Sequence, residues 1–136
     1  MGLSAKPRTF GPVFAISDGS SAIRYAYRDV SKSTDHPPSH TPVDLLLASL
    51  AACILKSVRW SAEQRGATPL PFTVSVTGIK AGDEPSRLGS VEITVIGKPV
   101  ADQNSIDAVV KQAKAICTVS NSLNSDITVS VQTEDT

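Results

Sequence analysis

Apolar and polar positions alternate with period two at four places along the chain. In Ile23-Arg24-Tyr25-Ala26-Tyr27-Arg28 the bulky apolar residues fall on one side, as a half-buried strand requires. Asp18-Gly19-Ser20-Ser21 ahead of it is a turn signal, and Pro12 to Ile16 before that reads as a partner strand, giving an N-terminal hairpin. Phe72-Thr-Val74-Ser-Val76 and Val91-Glu-Ile93-Thr-Val95 alternate in the same way and predict a second hairpin across the charged loop Lys80 to Arg87. Ile127-Thr-Val129-Ser-Val131 predicts a last strand, with Thr133 to Thr136 as a tail.

The helical signals are of two kinds. Ile106, Val109, Val110 and Ala113 recur at helical spacing, predicting an amphipathic helix capped near Asp102 or Ser105 and ending close to Ile116. The stretch from Thr41 to Arg65 predicts a much longer one. Thr41 can cap it, Pro42 suits its first position, Asp44 sits near the positive end of its dipole, and Gly66 is the stop. From Leu45 to Leu55 this helix is apolar or small on every face, and a helix of that kind must be covered all round. One sheet covers one side, so a second helix or a second subunit is expected on the other. The small residues Ala48, Ser49, Ala51 and Ala52 allow close approach of another backbone, and the expectation is a homodimer with this helix near its centre.

Elements therefore follow as β-β-α-β-β-α-β without repeats or linkers. Residues 1–136 are read as one α+β domain with an antiparallel sheet around a long central helix. Thirteen basic and thirteen acidic residues cancel without forming a basic stripe, and aromatics make up 4%. A nucleic-acid or anionic-membrane footprint is not expected from such a chain. Met1 to Arg8 has no apolar signal-peptide core, and the uncharged run ending at Leu55 is far short of the ~20 residues of a bilayer span. A cytoplasmic location follows as an expectation.

In such a compartment two cysteines are catalytic or simply buried rather than a structural staple. Cys53 lies about three turns into the long helix, too deep for the dipole to make it a thiolate, so its reactivity would need a cation or donor from elsewhere. Read alone it is a small core hydrophobe. Cys117 opens Cys117-Thr118-Val119-Ser120-Asn121-Ser122-Leu123, a short turn or helix start whose free N–H groups would favour its thiolate. Asp35, His36 and His40 lie in a polar, Pro-containing loop that does not preorganise a metal site, and no metal or cofactor is expected. Trp60, seven residues after Cys53, shares its helix face and reads as a packing residue of the dimer.

The string Pro42-x-Asp44-Leu45-Leu46-Leu47-Ala48-x-Leu50-Ala51-Ala52-Cys53 resembles the central-helix motif of the OsmC-like superfamily, which includes the organic hydroperoxide resistance proteins. Cys117-x-Val119-Ser120-Asn121-x-Leu123 is similar to that family's second motif, and the likeness extends over the chain from about Asp18. The resemblance implies an intertwined homodimer and a thiol-dependent peroxidase of oxidative-stress defence. Cys53 would be oxidised by an organic hydroperoxide to a sulfenic acid, Cys117 would resolve it as a disulfide, and a dithiol reductant would restore both.

The chain departs from the family pattern in three places. Val43 stands where the hydroperoxide-reducing branches carry a glutamate paired with the activating arginine, and Thr118 stands where proline is usual. Pro12 and Val13 occupy the neighbourhood of that arginine, leaving Arg24 as the first choice for the cation and Arg8 and Arg28 as the others. Asp44 precedes Cys53 by nine residues, which at about 100° per residue puts it on the opposite helix face, so it reads as a helix-start acid. The loss of the glutamate keeps open a second reading, a non-enzymatic dimer binding a small apolar ligand between its subunits. A structural, stress-linked dimer without a pocket is a third.

Overall fold

The computed structural model describes residues 8–133; the expected tail beyond Thr133 and the first seven residues lie outside them. Five strands form one sheet: β1 (Thr9–Ser17), β2 (Ile23–Tyr27), β3 (Phe72–Lys80), β4 (Leu88–Gly97) and β5 (Asp126–Gln132), in the order β2-β1-β3-β4-β5. The two hairpins expected from alternation are present. β1 starts earlier than Pro12 because a bulge at Gly11-Pro12 lets Thr9 and Phe10 rejoin β3 opposite Ile79 and Gly78. Gly11 has φ +89°, and a Cβ there would stand 2.8 Å from the Val76 carbonyl oxygen, so only glycine fits this crossing.

The expectation of an antiparallel sheet is corrected at one edge. β1–β2, β1–β3 and β3–β4 are antiparallel, but β5 runs parallel to β4, with Val91 opposite Ile127 and Val95 opposite Val131. The chain between them holds a 3₁₀ turn at Gln103–Ser105 and the helices α2 (Ile106–Ile116) and α3 (Thr118–Asn121). That crossover returns the chain to the start of β4, and a strand entering there has to run in the same sense. Alternation is identical for both senses, so it could not reveal this.

The long helix α1 (Pro42–Gln64) lies on one face of the sheet across β1 and β3, with α2 beside it. Leu47, Leu50, Ile54, Leu55 and Val58 of α1 are wholly buried against Val13, Val74, Val76, Val91 and Val95 of the sheet. α2 adds Ile106, Val109 and Ala113 to the same core. The helix start is the expected one: Thr41 Oγ1 accepts from the Asp44 N–H at 3.2 Å, and Asp44 Oδ2 accepts from the Thr41 N–H at 3.0 Å. Arg65 closes the helix and Gly66 leaves it at φ +75°. Where α1 meets α2, the wholly buried Ser61 hydroxyl donates to Gln112 Oε1 at 2.5 Å.

The other side of α1 is not covered by the described residues. Leu45 (46% exposed) and Trp60 (44%) stand on it with Ser49 and Lys56, beside the half-buried Leu46, Ala52 and Cys53. By length and hydropathy α1 is apolar enough to cross a membrane, but 56% of its most apolar window is buried inside the fold, as in a core helix.

Candidate functional site

The two thiols are brought together by the packing of α1 against α3. Cys117 caps α3 and is fully buried, while Cys53, on the uncovered side of α1, is half-buried and reachable. The two thiols lie close enough to act on each other electrostatically. Burial pushes the Cys117 thiol above its ordinary range, hydrogen bonds from Ser120 pull it back, and contact with the Cys53 thiol adds to the rise. The Ser120 N–H reaches Cys117 Sγ at 3.5 Å. That donor is the favourable N–H expected from the sequence, but α3 is a single turn and the loss of water outweighs it, so the Cys117 thiolate is disfavoured.

The remaining candidates are placed apart from the thiols. Arg24 lies on the edge strand β2, exposed, with Nε donating to Ser33 Oγ at 2.9 Å and Nη2 to the Ser33 carbonyl at 2.8 Å. Arg28 extends over the Tyr27 ring, and its Nε donates to the Gly11 carbonyl at 3.3 Å. Arg8 lies over the Phe10 ring, 4.9 Å from its centroid. Within one chain none of these guanidinium groups is hydrogen-bonded to either sulfur. Lys56, three residues after Cys53, shares the open face of α1 at one-turn spacing, a cation that attention to arginines alone overlooked.

Asp44 is 1% exposed and occupied by its cap, with His40 Nδ1 3.9 Å from Oδ2. The His40 ring rests on Tyr27 at 4.8 Å between centroids. Both belong to the neighbourhood of a cleft of about 460 Å³ between β2 and the 31–40 loop, lined by Tyr25, Tyr27, His36 and His40 among others. His36 pairs with Asp35 in solvent at 3.1 Å. Among the described residues no cluster of three His, Cys, Asp or Glu side chains could hold a metal ion.

A family model described as OsmC-like protein matches residues 34–132, which includes both cysteine motifs. No curated protein matches the sequence. The fold is similar to that of a hypothetical protein from Aquifex aeolicus VF5, at TM-score 0.61 and 14% identity over 98% of each chain. It is also similar to an organic hydroperoxide resistance protein OsmC from Legionella pneumophila, at TM-score 0.58 and 17% identity over 96% of this chain and 99% of that one. The organic hydroperoxide resistance protein OhrB of Bacillus subtilis matches at TM-score 0.57 and 17% identity, over 97% and 98%. At these identities the likeness is one of fold.

Proposed function

Because this chain belongs to the OsmC-like protein family, as the match over residues 34–132 establishes, we propose that it is a thiol-dependent peroxidase of organic hydroperoxides. The observation that carries the proposal is the closeness of a reachable Cys53 to a buried Cys117 where α1 packs on α3. The Cys53 thiolate attacks the outer peroxide oxygen; the O–O bond breaks, the alkoxide leaves as an alcohol after taking a proton, and Cys53 becomes a sulfenic acid. Cys117 sulfur then attacks Cys53 sulfur, the S–O bond breaks, and the thiol proton leaves with the oxygen as water. A dithiol reduces the resulting disulfide to two thiols and is itself oxidised to a disulfide.

Each part of the site has a role in this scheme. A thiol held protonated at Cys117 is protected from direct oxidation until the sulfenic acid forms beside it. The apolar open side of α1, where Cys53 stands beside Ala52 and in line with Leu46, favours an alkyl hydroperoxide over hydrogen peroxide. The cation that stabilises the Cys53 thiolate is assigned to Arg24, which has to exchange Ser33 for the sulfur. The exposed stripe of α1 is assigned to the same stripe of a second subunit, giving a homodimer in the cytoplasm with the thiols at its interface.

The rival, a dimer that binds a small apolar ligand without chemistry, is favoured by one observation: each arginine candidate is engaged away from the thiols. Incubation of the reduced protein with tert-butyl hydroperoxide and a dithiol decides between them. Peroxide loss should need Cys53, and an internal Cys53–Cys117 disulfide should appear in the intact mass. Equal consumption by Cys53→Ser, or no disulfide on oxidation, would overturn the peroxidase reading.

A further inference from the structure

The two edges of the sheet are finished differently. At the β2 edge the chain covers itself: the Tyr25 N–H donates to the Thr34 carbonyl at 2.8 Å, the Thr34 N–H donates to the Tyr25 carbonyl at 2.7 Å, and Arg24 folds onto Ser33. β5 is the outermost strand at the other end, and among the described residues no strand pairs with its outer side. Edge strands are ordinarily blunted by a lysine, a proline, a bulge or a cover. Asp126 to Gln132 holds neither Lys nor Pro, and its register with β4 runs without a shift from Ser90 opposite Asp126 to Ile96 opposite Gln132. Seven extended residues make an open edge about 23 Å long.

A groove of about 260 Å³ lies between β5 and α2, with Val110, Val129 and Val131 as its apolar part and Asp107, Lys111 and Lys114 as its charged rim. The three rim charges are exposed, and none makes an ion pair among the described residues. An open edge beside an apolar groove takes up an added strand through main-chain hydrogen bonds. The sequence of β5 fits it to its own copy. Turned antiparallel about a two-fold axis at Val129, the strand puts Ile127 opposite Val131, Thr128 opposite Ser130 and Asp126 opposite the Gln132 amide. Apolar meets apolar on the core face, hydroxyl meets hydroxyl on the outer face, and no like charges stand opposite each other. The same axis sets two copies of α2 antiparallel, which brings Asp107 of each toward Lys114 of the other.

We propose that β5 pairs antiparallel with β5 of a second copy of this chain, joining two five-stranded sheets into one continuous sheet with α2 set beside its copy over the seam. The surface is distinct from the open stripe of α1, because α1 lies across β1 and β3 while β5 is the far edge. It therefore links units that the α1 stripe has already formed and does not replace that contact. One strand pair and two short helices make an interface at the small end of the range, which sets a weak Kd of order 0.1–1 mM. At micromolar concentration the edges stay apart, and they pair where the protein is concentrated. No thiol takes part, so the pairing stands or falls independently of the peroxidase reading.

Equilibrium sedimentation of the reduced protein from about 10 μM to about 1 mM tests the proposal. The weight-average mass should be flat at the low end and rise by at least about half at the high end. Amide hydrogen exchange in residues 126–132 should slow severalfold over the same range, because the outer N–H groups gain partners. Thr128→Lys with Ser130→Lys, both exposed on the outer face, puts like charges opposite each other at two places and should keep the mass flat to about 1 mM. Lys114→Asp alone and Asp107→Lys alone should each raise the Kd about two- to tenfold, and the two together should restore it to within about twofold. A flat mass in the parent, or a rise unaltered by Thr128→Lys with Ser130→Lys, would overturn the proposal. A capped peptide of residues 126–132 that binds a parent of flat mass would assign the edge to a foreign strand and overturn it likewise.

Discussion

Cys117 caps the short helix α3 close to Cys53 of α1, so that a wholly buried thiol neighbours one that solvent can reach. In the proposed scheme this asymmetry gives Cys53 the first oxidation and Cys117 the second step, and it bears directly on what each variant should do.

With Cys117→Ser the sulfenic acid formed on Cys53 has no resolver. After one equivalent of hydroperoxide the parent should lose about 2 Da as a disulfide forms, whereas the variant should gain about 16 Da and then more as the sulfinic acid appears. Intact-mass spectrometry reads this. A parent that gains about 16 Da as the variant does, with no 2 Da loss, would show that the pairing is wrong.

Burial holds the Cys117 thiol above its ordinary range, and that makes stability depend on alkaline pH. The folded chain keeps a proton there that the unfolded chain releases, so the contribution is complete below the unfolded thiol's pKa, about 8.5. It is lost as pH rises from that point through the folded value, at up to about 1.4 kcal/mol per pH unit. Urea unfolding at pH 7 and pH 10 should show a larger alkaline loss for the parent than for Cys117→Ala. The variant's cavity cost is the same at both values, so the difference isolates the thiol.

Thr41 and Asp44 satisfy each other's backbone donors at the start of α1. Thr41→Ala should cost about 1 kcal/mol by denaturant unfolding. Asp44→Asn keeps an oxygen for the Thr41 N–H but removes a charge from the positive end of the helix, at about 0.3–1 kcal/mol. Neither should change the rate of hydroperoxide reduction by more than about twofold, because the cap lies away from the thiols. A tenfold rate loss in Asp44→Asn with unchanged stability would reassign Asp44 to the chemistry.

The open stripe of α1 carries Leu45 and Trp60 at 46% and 44% exposure, large apolar side chains without cover from the described residues. Equilibrium sedimentation should give the mass of two chains. Leu45→Arg, which leaves the buried face of α1 intact, should shift it to one chain at micromolar concentration while the far-ultraviolet circular dichroism is kept. A monomeric parent would remove the dimer from the proposal.

Element order, the two hairpins, the ends of α1 and its Thr41 cap were legible in the sequence because each rests on neighbours within a few residues. The alternation in Val91 to Val95 reports a buried face whatever strand lies beside it, and Thr41, Pro42, Asp44 and Gly66 act on their own turn of helix. The paired motifs were legible too, as a resemblance. The open edge at β5 was not, since Ile127 to Val131 alternates like any other strand until the sheet order leaves it outermost.

What the sequence determined by itself is therefore local: which segments are strand or helix, which faces are apolar, and that two thiols accompany two helical segments. Tertiary structure alone decided the parallel edge at β5, the meeting of Cys53 with Cys117, the engagement of Arg24 by Ser33, and the high pKa direction of the Cys117 thiol. The physical reason is the range of the forces involved. Propensity, capping and periodicity act within a turn or two, whereas strand sense, burial and the company a thiol keeps depend on residues joined only by the folded chain.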